Sequence, residues 1–171
     1  MSPGRPQARV RPACPEEAGL IRRWLWRERL DPTALKWSNF VVAVDEAGDV
    51  LGIAQMKRLG GKSWRGRQAQ SEPVRELGSL VVRPDVRGQG IGRLLVQHLL
   101  RTHPAPIHLL CEGRNVSYYR QFGFREIEPE EMPSPLRRKW RLGHLFARLA
   151  GRRVAAMVWE GPRGDGNLAQ G

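Results

Sequence analysis

Three glycines at alternate positions, in Arg87-Gly88-Gln89-Gly90-Ile91-Gly92, are the feature of this chain that most directly implies chemistry. With side chains stripped from positions 88, 90 and 92, successive backbone N–H groups can approach an anion closely. A helix starting at the same place adds the positive end of its dipole. Such a loop is suited to cradling a pyrophosphate. Two better-known phosphate loops do not fit, because one needs a Gly-Lys-Ser/Thr ending and the other needs its last glycine three positions after the second. Cys111 could carry an acyl group, but no histidine–acid pair accompanies it, and a buried apolar thiol is the commoner role. His98, His103, His108, His144 and the two cysteines, Cys14 and Cys111, show no metal-ligand spacing, so no metal is expected.

The elements that must position this loop can be read from periodicity. Ala8 to Arg11 alternates as a first strand. Pro15-Glu16-Glu17 places proline and acids in the first turn of a helix running to about Leu30, with Ile21, Trp24, Leu25 and Leu20 on its inner face. Asp31-Pro32 ends that helix, and a short helical turn is expected over Thr33 to Trp37. Phe40 to Val44 and Val50 to Leu59 are strands joined by a hairpin turn at Glu46-Ala47-Gly48-Asp49. Gly60 to Ser71 has no apolar periodicity and reads as a mobile loop.

Val74 to Val82 is the strand that feeds the glycine loop. The helix after it carries Ile91, Leu94, Leu95 and Leu99 at one-sided spacing. Pro104 and Pro106 stop it. Ile107 to Cys111 is a short buried strand, Asn115 to Gln121 a short helix, Phe124 to Glu128 a strand, and Val154 to Trp159 the last strand.

With its strand before and helix after, the segment Arg87-Gly88-Gln89-Gly90-Ile91-Gly92 meets the pattern Arg/Gln-x-x-Gly-x-Gly/Ala. It resembles motif A of the GNAT superfamily of acyl-CoA-dependent N-acetyltransferases. The element order is similar to the GNAT fold, an α/β (α+β) architecture. That fold is a mixed, mostly antiparallel central sheet flanked by helices, splayed where its parallel central pair diverges. The resemblance covers residues 8 to 128 and the last strand. Between them, Glu130 to Gly151 is expected to be an insertion holding a basic helix, with Leu142, Leu145, Phe146 and Leu149 on one face. Residues 1–160 then make one domain, and 161–171 a disordered tail.

The resemblance implies an enzyme transferring the acetyl group of acetyl-CoA to a primary amine by direct attack in a ternary complex. It implies that the backbone of Leu80, Val81 and Val82 pairs with the pantetheine arm, and that the N–H of Val82 or its neighbour polarises the thioester. Arg87, Gly88, Gln89, Gly90, Ile91, Gly92 and Arg93 would hold the pyrophosphate. Tyr119, four residues before Gly123 in Tyr118-Tyr119-Arg120-Gln121-Phe122-Gly123-Phe124, resembles the family's Phe-Tyr-x-x-x-Gly-Phe ending and would be the general acid. An aromatic core residue with a satisfied hydroxyl is the alternative. Glu76, placed by strand alternation on the face of Gly78 and Leu80, resembles the position from which some members deprotonate the amine, directly or through water. An ion pair with an arginine is its alternative, and Glu112 is a second candidate base. Many members carry an asparagine seven positions before the tyrosine; here that position is Glu112, and Asn115 is better read as a helix cap.

At 171 residues the chain suits one domain. No apolar run of about 18 residues could span a membrane and no secretory segment opens the chain, so a cytoplasmic protein with reduced thiols is expected. The net charge of +12 is concentrated in two stretches free of acids, Lys57 to Arg67 and Arg137 to Arg153. A CoA-like polyanion explains part of this charge. Nucleic-acid binding or regulation on the same scaffold, or CoA binding without catalysis, are the alternatives. The resemblance puts the acceptor near Trp24 to Trp37, Gly60 to Ser71 and Glu130 to Gly151. The basic character of the last two disfavours polycationic acceptors and favours an anionic small molecule or acidic peptide. Apolar faces on the inserted helix could make a homodimer or cover the sheet.

Overall fold

The computed structural model describes residues 7–30, 36–60 and 73–162. The expected turn over Thr33 to Trp37, the loop Gly60 to Ser71 and the tail 161–171 lie wholly or mostly outside these residues. The chain forms two compact units, one made of residues up to Leu59 together with Arg75–Thr102, the other of Gly60–Val74 and the residues from His103 on.

In the first unit, strands β1 (Arg9–Pro12), β2 (Phe40–Val44), β3 (Val50–Leu59) and β4 (Val74–Val82) lie side by side in that order. β1 with β2 and β2 with β3 are antiparallel, with Val10 opposite Ala43 and Val42 opposite Ile53. The β2–β3 hairpin closes at Asp45–Asp49, where Gly48 takes a φ of +91° that side chains resist. Helix α1 (Ala18–Arg27) inserts Ile21 and Leu25 among Phe40, Val42, Val44, Ile53 and Val81, with Trp24 packed alongside. Its entry is fastened by Glu17, whose carboxylate accepts from Arg11 at 2.7 Å and from the Cys14 N–H at 2.9 Å.

Helix α2 (Ile91–Thr102) covers β2 and β3, burying Ile91, Leu95, Val96 and Leu99. Val96 joins the inner face, while Leu94 is only half-buried. The close approach depends on Gly52 of β3, because a Cβ there would lie 3.0 Å from both Ile91 Cγ2 and Leu95 Cδ1. Leu95 has no exposed surface. Leu95→Ala is therefore expected to destabilise the protein by about 3 kcal/mol, and a chain of this size then melts about 6–12 °C lower by calorimetry. A loss under about 1 kcal/mol would mean that α2 is not seated as described.

In the second unit, β5 (Ile107–Glu112), β7 (Val154–Trp159) and β6 (Arg125–Ile127) lie in that order, antiparallel throughout. The short helix α3 (Val116–Arg120) follows β5, and α4 (Ser134–Leu149) lies between β6 and β7. Helix α4 packs on β7 through buried Leu136 and through Trp140, whose Nε1–H donates to the Val154 carbonyl at 3.2 Å. Leu142, Leu145 and Leu149 are 65 %, 59 % and 80 % exposed. Of the two roles open to that stripe, covering the sheet is excluded for these three leucines. They sit about 180° around the helix from the Leu136–Trp140 side, at 100° per residue.

Candidate functional site

β4 ends in a turn shaped by its own charges. Arg83 Nε pairs with Asp85 at 2.8 Å, buried Val86 anchors the turn Pro84–Val86, and Arg87 Nε donates to the Val82 carbonyl at 3.1 Å. The other end of the Arg87 guanidinium reaches Glu28, just past α1, at 3.0 Å. The glycine loop then adopts the conformation its composition permits, with φ of +79° at Gly88 and +91° at Gly90. A Cβ at either residue would meet no protein atom within 4 Å, so both face open space.

Leu94 N–H donates to the Gly90 carbonyl at 3.0 Å, closing the first turn of α2. The amides of Ile91, Gly92 and Arg93 belong to the part of a helix that has no intrahelical acceptor, and there they carry the positive end of the dipole. A cleft of about 760 Å³ opens here, lined by Gly88, Gln89, Gly90, Arg93 and Gln97 together with Gln7 and Ala8. Ile91 contributes backbone to the cleft while its side chain is buried against β3.

Ser79 in the middle of β4 has a φ of +52°, a left-handed conformation uncommon for a side-chain-bearing residue. Strand alternation does not pass through such a residue, so Leu80 cannot be assigned to the face of Glu76 as expected. Glu76 and Leu77 are both buried, Leu80 and Val82 are half-buried, and Val81 turns into the α1 core. Beside Val81 and Val82, a second, smaller cleft of about 160 Å³ is walled by Trp24, Arg27 and Glu28. Trp24 was expected on the inner face of α1 and the segment Trp24 to Trp37 near the acceptor, with Glu28 not singled out within it. The signal was the four-residue spacing that sets both on one side of the end of α1.

Tyr119, Cys111, Glu112 and Asn115 belong to the second unit. The Tyr119 ring packs edge-on against Tyr118 and Phe124, with centroids at 5.2 and 6.0 Å. Desolvation raises its hydroxyl well above the ordinary tyrosine range, with Cys111 and Tyr118 adding to the effect. The hydroxyl therefore keeps its proton at neutral pH. α3 is closed by Phe122 and Gly123 N–H groups donating to the carbonyls of Tyr119 and Arg120, with Gly123 at φ +91°.

Burial first, and Glu126 second, push the Cys111 thiol up to about 11, and its sulfur rests 4.0 Å from that of Met157. A thiol held protonated is a poor nucleophile. Glu112 is engaged by two arginines, Arg114 at 2.8 Å and Arg152 at 3.2 Å. Asn115 does stand at the N-cap of α3, but its side chain makes no capping bond and its backbone is already helical. Among the described residues no group of three His, Cys, Asp or Glu could hold a metal, and no helix is long and apolar enough to cross a membrane.

The acetyltransferase (GNAT) domain model matches residues 36–126, which include the glycine loop, Glu76 and Tyr119. The peptidyl-lysine N-acetyltransferase YjaB of Salmonella typhimurium is 31 % identical over 128 residues, 66 % of this chain and 83 % of that protein. Two solved structures share the fold at 18 % identity. N-acetylglutamate synthase from Neisseria gonorrhoeae, complexed with coenzyme A and N-acetyl-glutamate, superposes with a TM-score of 0.66 over 91 % of this chain and 35 % of its own. Thus the present chain spans about a third of that synthase. Rv2747 from Mycobacterium tuberculosis, in complex with CoA and NLQ, gives 0.65 over 89 % and 98 %. NAA60 from Arabidopsis thaliana with acetyl-CoA, 13 % identical, gives 0.62 over 90 % and 98 %. With its glycine loop opening on a cleft at the head of α2, the chain belongs to the GNAT family of N-acetyltransferases, for which acetyl-CoA is the acyl donor.

Proposed function

We propose that this N-acetyltransferase moves the acetyl group to a primary amine by direct attack, with donor and acceptor bound together. The observation that carries the donor half is the pair of left-handed glycines, Gly88 and Gly90, opening on the cleft where α2 begins. Amides of Gly88 to Arg93 and the helix dipole hold the pyrophosphate there. The irregular backbone of β4 at Leu80, Val81 and Val82 receives the pantetheine arm, with the N–H of Val82 or its neighbour on the thioester oxygen. Glu76 takes a proton from the acceptor ammonium, directly or through water. The amine nitrogen then bonds to the carbonyl carbon, the carbon–sulfur bond breaks, and the departing thiolate takes the Tyr119 proton, which the second proton of the attacking nitrogen replaces through solvent. Tyr119, protonated at neutral pH, suits this role, and the raised Cys111 thiol supports direct attack over an acyl-cysteine route.

Two of the named relatives point to different amine acceptors, the peptidyl-lysine N-acetyltransferase to a peptide lysine and N-acetylglutamate synthase to an amino acid. Cys14 and Cys111 are both free, which supports a reducing, cytoplasmic setting. The test is calorimetric titration with acetyl-CoA and CoA at low and high salt, followed by initial rates on an amine panel. Binding that persists in high salt, with intersecting double-reciprocal lines, is expected. Absence of binding overturns the donor site, and parallel lines overturn direct attack.

A further inference from the structure

The two acid-free basic stretches of the sequence fare differently in the fold. Lys57, at the head of the first, is buried on β3 at 5 % exposure, whereas α4 keeps much of the second at the surface. From Met132 to Trp159 the chain holds no aspartate or glutamate. Some of the basic groups there are already engaged. Arg137 donates to the carbonyls of Glu130 and Met132, and Arg152 and Arg153 pair with Glu112 and Glu126. Arg138, Arg141 and Arg148 are exposed, and none of them is held in an ion pair among the described residues.

These three arginines share their side of α4 with the exposed leucines. At 100° per residue, Leu142, Leu145 and Leu149 fall within a stripe about 60° wide. Arg138 lies in line with it one turn before Leu142, and Arg141 and Arg148 run along one edge, within about 100° of its centre. The opposite side of the helix is taken, because Leu136 and Trp140 fasten it to β7. Only the outer half of α4 is left to offer. A groove that wraps a helix cannot receive it, whereas a flat surface can.

A second copy of the chain fits this face poorly, since the arginines of one α4 would meet those of the other with no acid on either helix. Three leucines also supply only part of the roughly 1,000 Å² that a stable interface needs. A nucleic acid would satisfy the arginines and leave the leucines in water. An anionic lipid surface answers both, because acyl chains take the leucines and guanidinium groups match phosphate oxygens two at a time.

We propose that α4 docks this protein on the surface of a membrane rich in anionic phospholipid. The helix lies in the interfacial plane, with Leu142, Leu145 and Leu149 immersed where headgroups meet acyl chains and Arg138, Arg141 and Arg148 on the lipid phosphates. The proposal rests on α4 alone and stands apart from the acetyl-transfer reading.

The experiment is co-sedimentation of the full chain with vesicles of phosphatidylcholine alone, and of phosphatidylcholine mixed with phosphatidylglycerol, at low and high salt. A basic residue near an anionic surface strengthens binding about fivefold, so three should raise partition onto the anionic vesicles by about 100-fold, an advantage that shrinks in high salt. Any protein of net charge +12 is drawn to such a surface, so the leucines decide the matter. The triple variant Leu142→Gln, Leu145→Gln, Leu149→Gln keeps every charge and the helix propensity. It is expected to bind anionic vesicles at least about 100-fold more weakly, with a melting temperature within a few degrees of the unaltered protein's. The variant Arg138→Gln, Arg141→Gln, Arg148→Gln should lose at least about tenfold of the preference for anionic over neutral vesicles. Undiminished binding by the leucine variant, equal partition of the unaltered protein onto both kinds of vesicle, or no binding to either overturns the proposal. Self-association that the leucine variant abolishes, without vesicle binding, also overturns it and gives the stripe to a second copy.

Discussion

Tyr119→Phe is expected to lower kcat by about 100- to 1,000-fold while the Kd for acetyl-CoA stays within about twofold. The substitution removes one oxygen and leaves the ring, so the edge-on packing against Tyr118 and Phe124 persists. What disappears is the proton proposed to pass to the thiolate, and general acid catalysis of this kind typically contributes factors of this size. The raised pKa sets a second expectation. A group whose pKa is moved upward by burial stays in its acid form through neutral and mildly alkaline pH, so kcat should show no alkaline fall assignable to Tyr119 below about pH 10. Unchanged kcat in the variant would remove Tyr119 from the chemistry. A parallel loss of acetyl-CoA binding would assign it to packing instead.

How much of this was legible in the sequence depends on the range of the forces involved. The path from β4 through the glycine loop into α2 was readable because it is local. Alternation, three glycines and a one-sided helix each leave a mark within a few residues of where they act. Ser79 left none, since serine is not a residue that announces a left-handed backbone, and with it went the assignment of Leu80 to the face of Glu76. In α4 the leucine stripe was visible, but periodicity does not say which side of a helix meets the sheet, and Leu136 and Trp140 took that place. Of the two arginines that engage Glu112, Arg114 stands two residues away in plain view, whereas Arg152, 40 residues on, left no local mark.

Lys57 is the most instructive case. It stood at the head of a basic stretch and was counted as part of a charged patch. Its strand position, two after Gln55 and four after Ile53, already placed it on a core face. Charge runs are averaged over a segment, whereas burial is decided residue by residue by strand phase. The same correction applies elsewhere in the chain, because Arg120 and Arg153 both engage Glu126, and Arg125 spans Glu131 and Glu160. Part of the excess positive charge is thus committed within the fold rather than offered to a partner.

Gly90→Val is the second large effect, an expected rise of about 100-fold or more in the Kd for both CoA and acetyl-CoA with little loss of fold. Two costs act together. At φ +91° a β-branched residue is strained, which forces the loop away from the shape that aims its amides. The new side chain also occupies the space proposed for the phosphates, because nothing of the protein stands within 4 Å of that Cβ position and Gly90 lines the open cleft. Losing two charge-assisted backbone hydrogen bonds accounts for about 3 kcal/mol, or roughly 100-fold. Gly19→Ala is the control. A Cβ there also meets nothing within 4 Å, but Gly19 lies inside α1 with no positive φ. Alanine should therefore stabilise the helix by up to about 1 kcal/mol and leave CoA binding untouched. Calorimetry reads both affinity and melting temperature. If Gly90→Val binds CoA as tightly as the unaltered protein, the glycine loop does not hold the pyrophosphate. If it loses binding only by melting at the assay temperature, the comparison moves to Gly90→Ala, where strain is smaller and an intermediate affinity is expected from the same two costs.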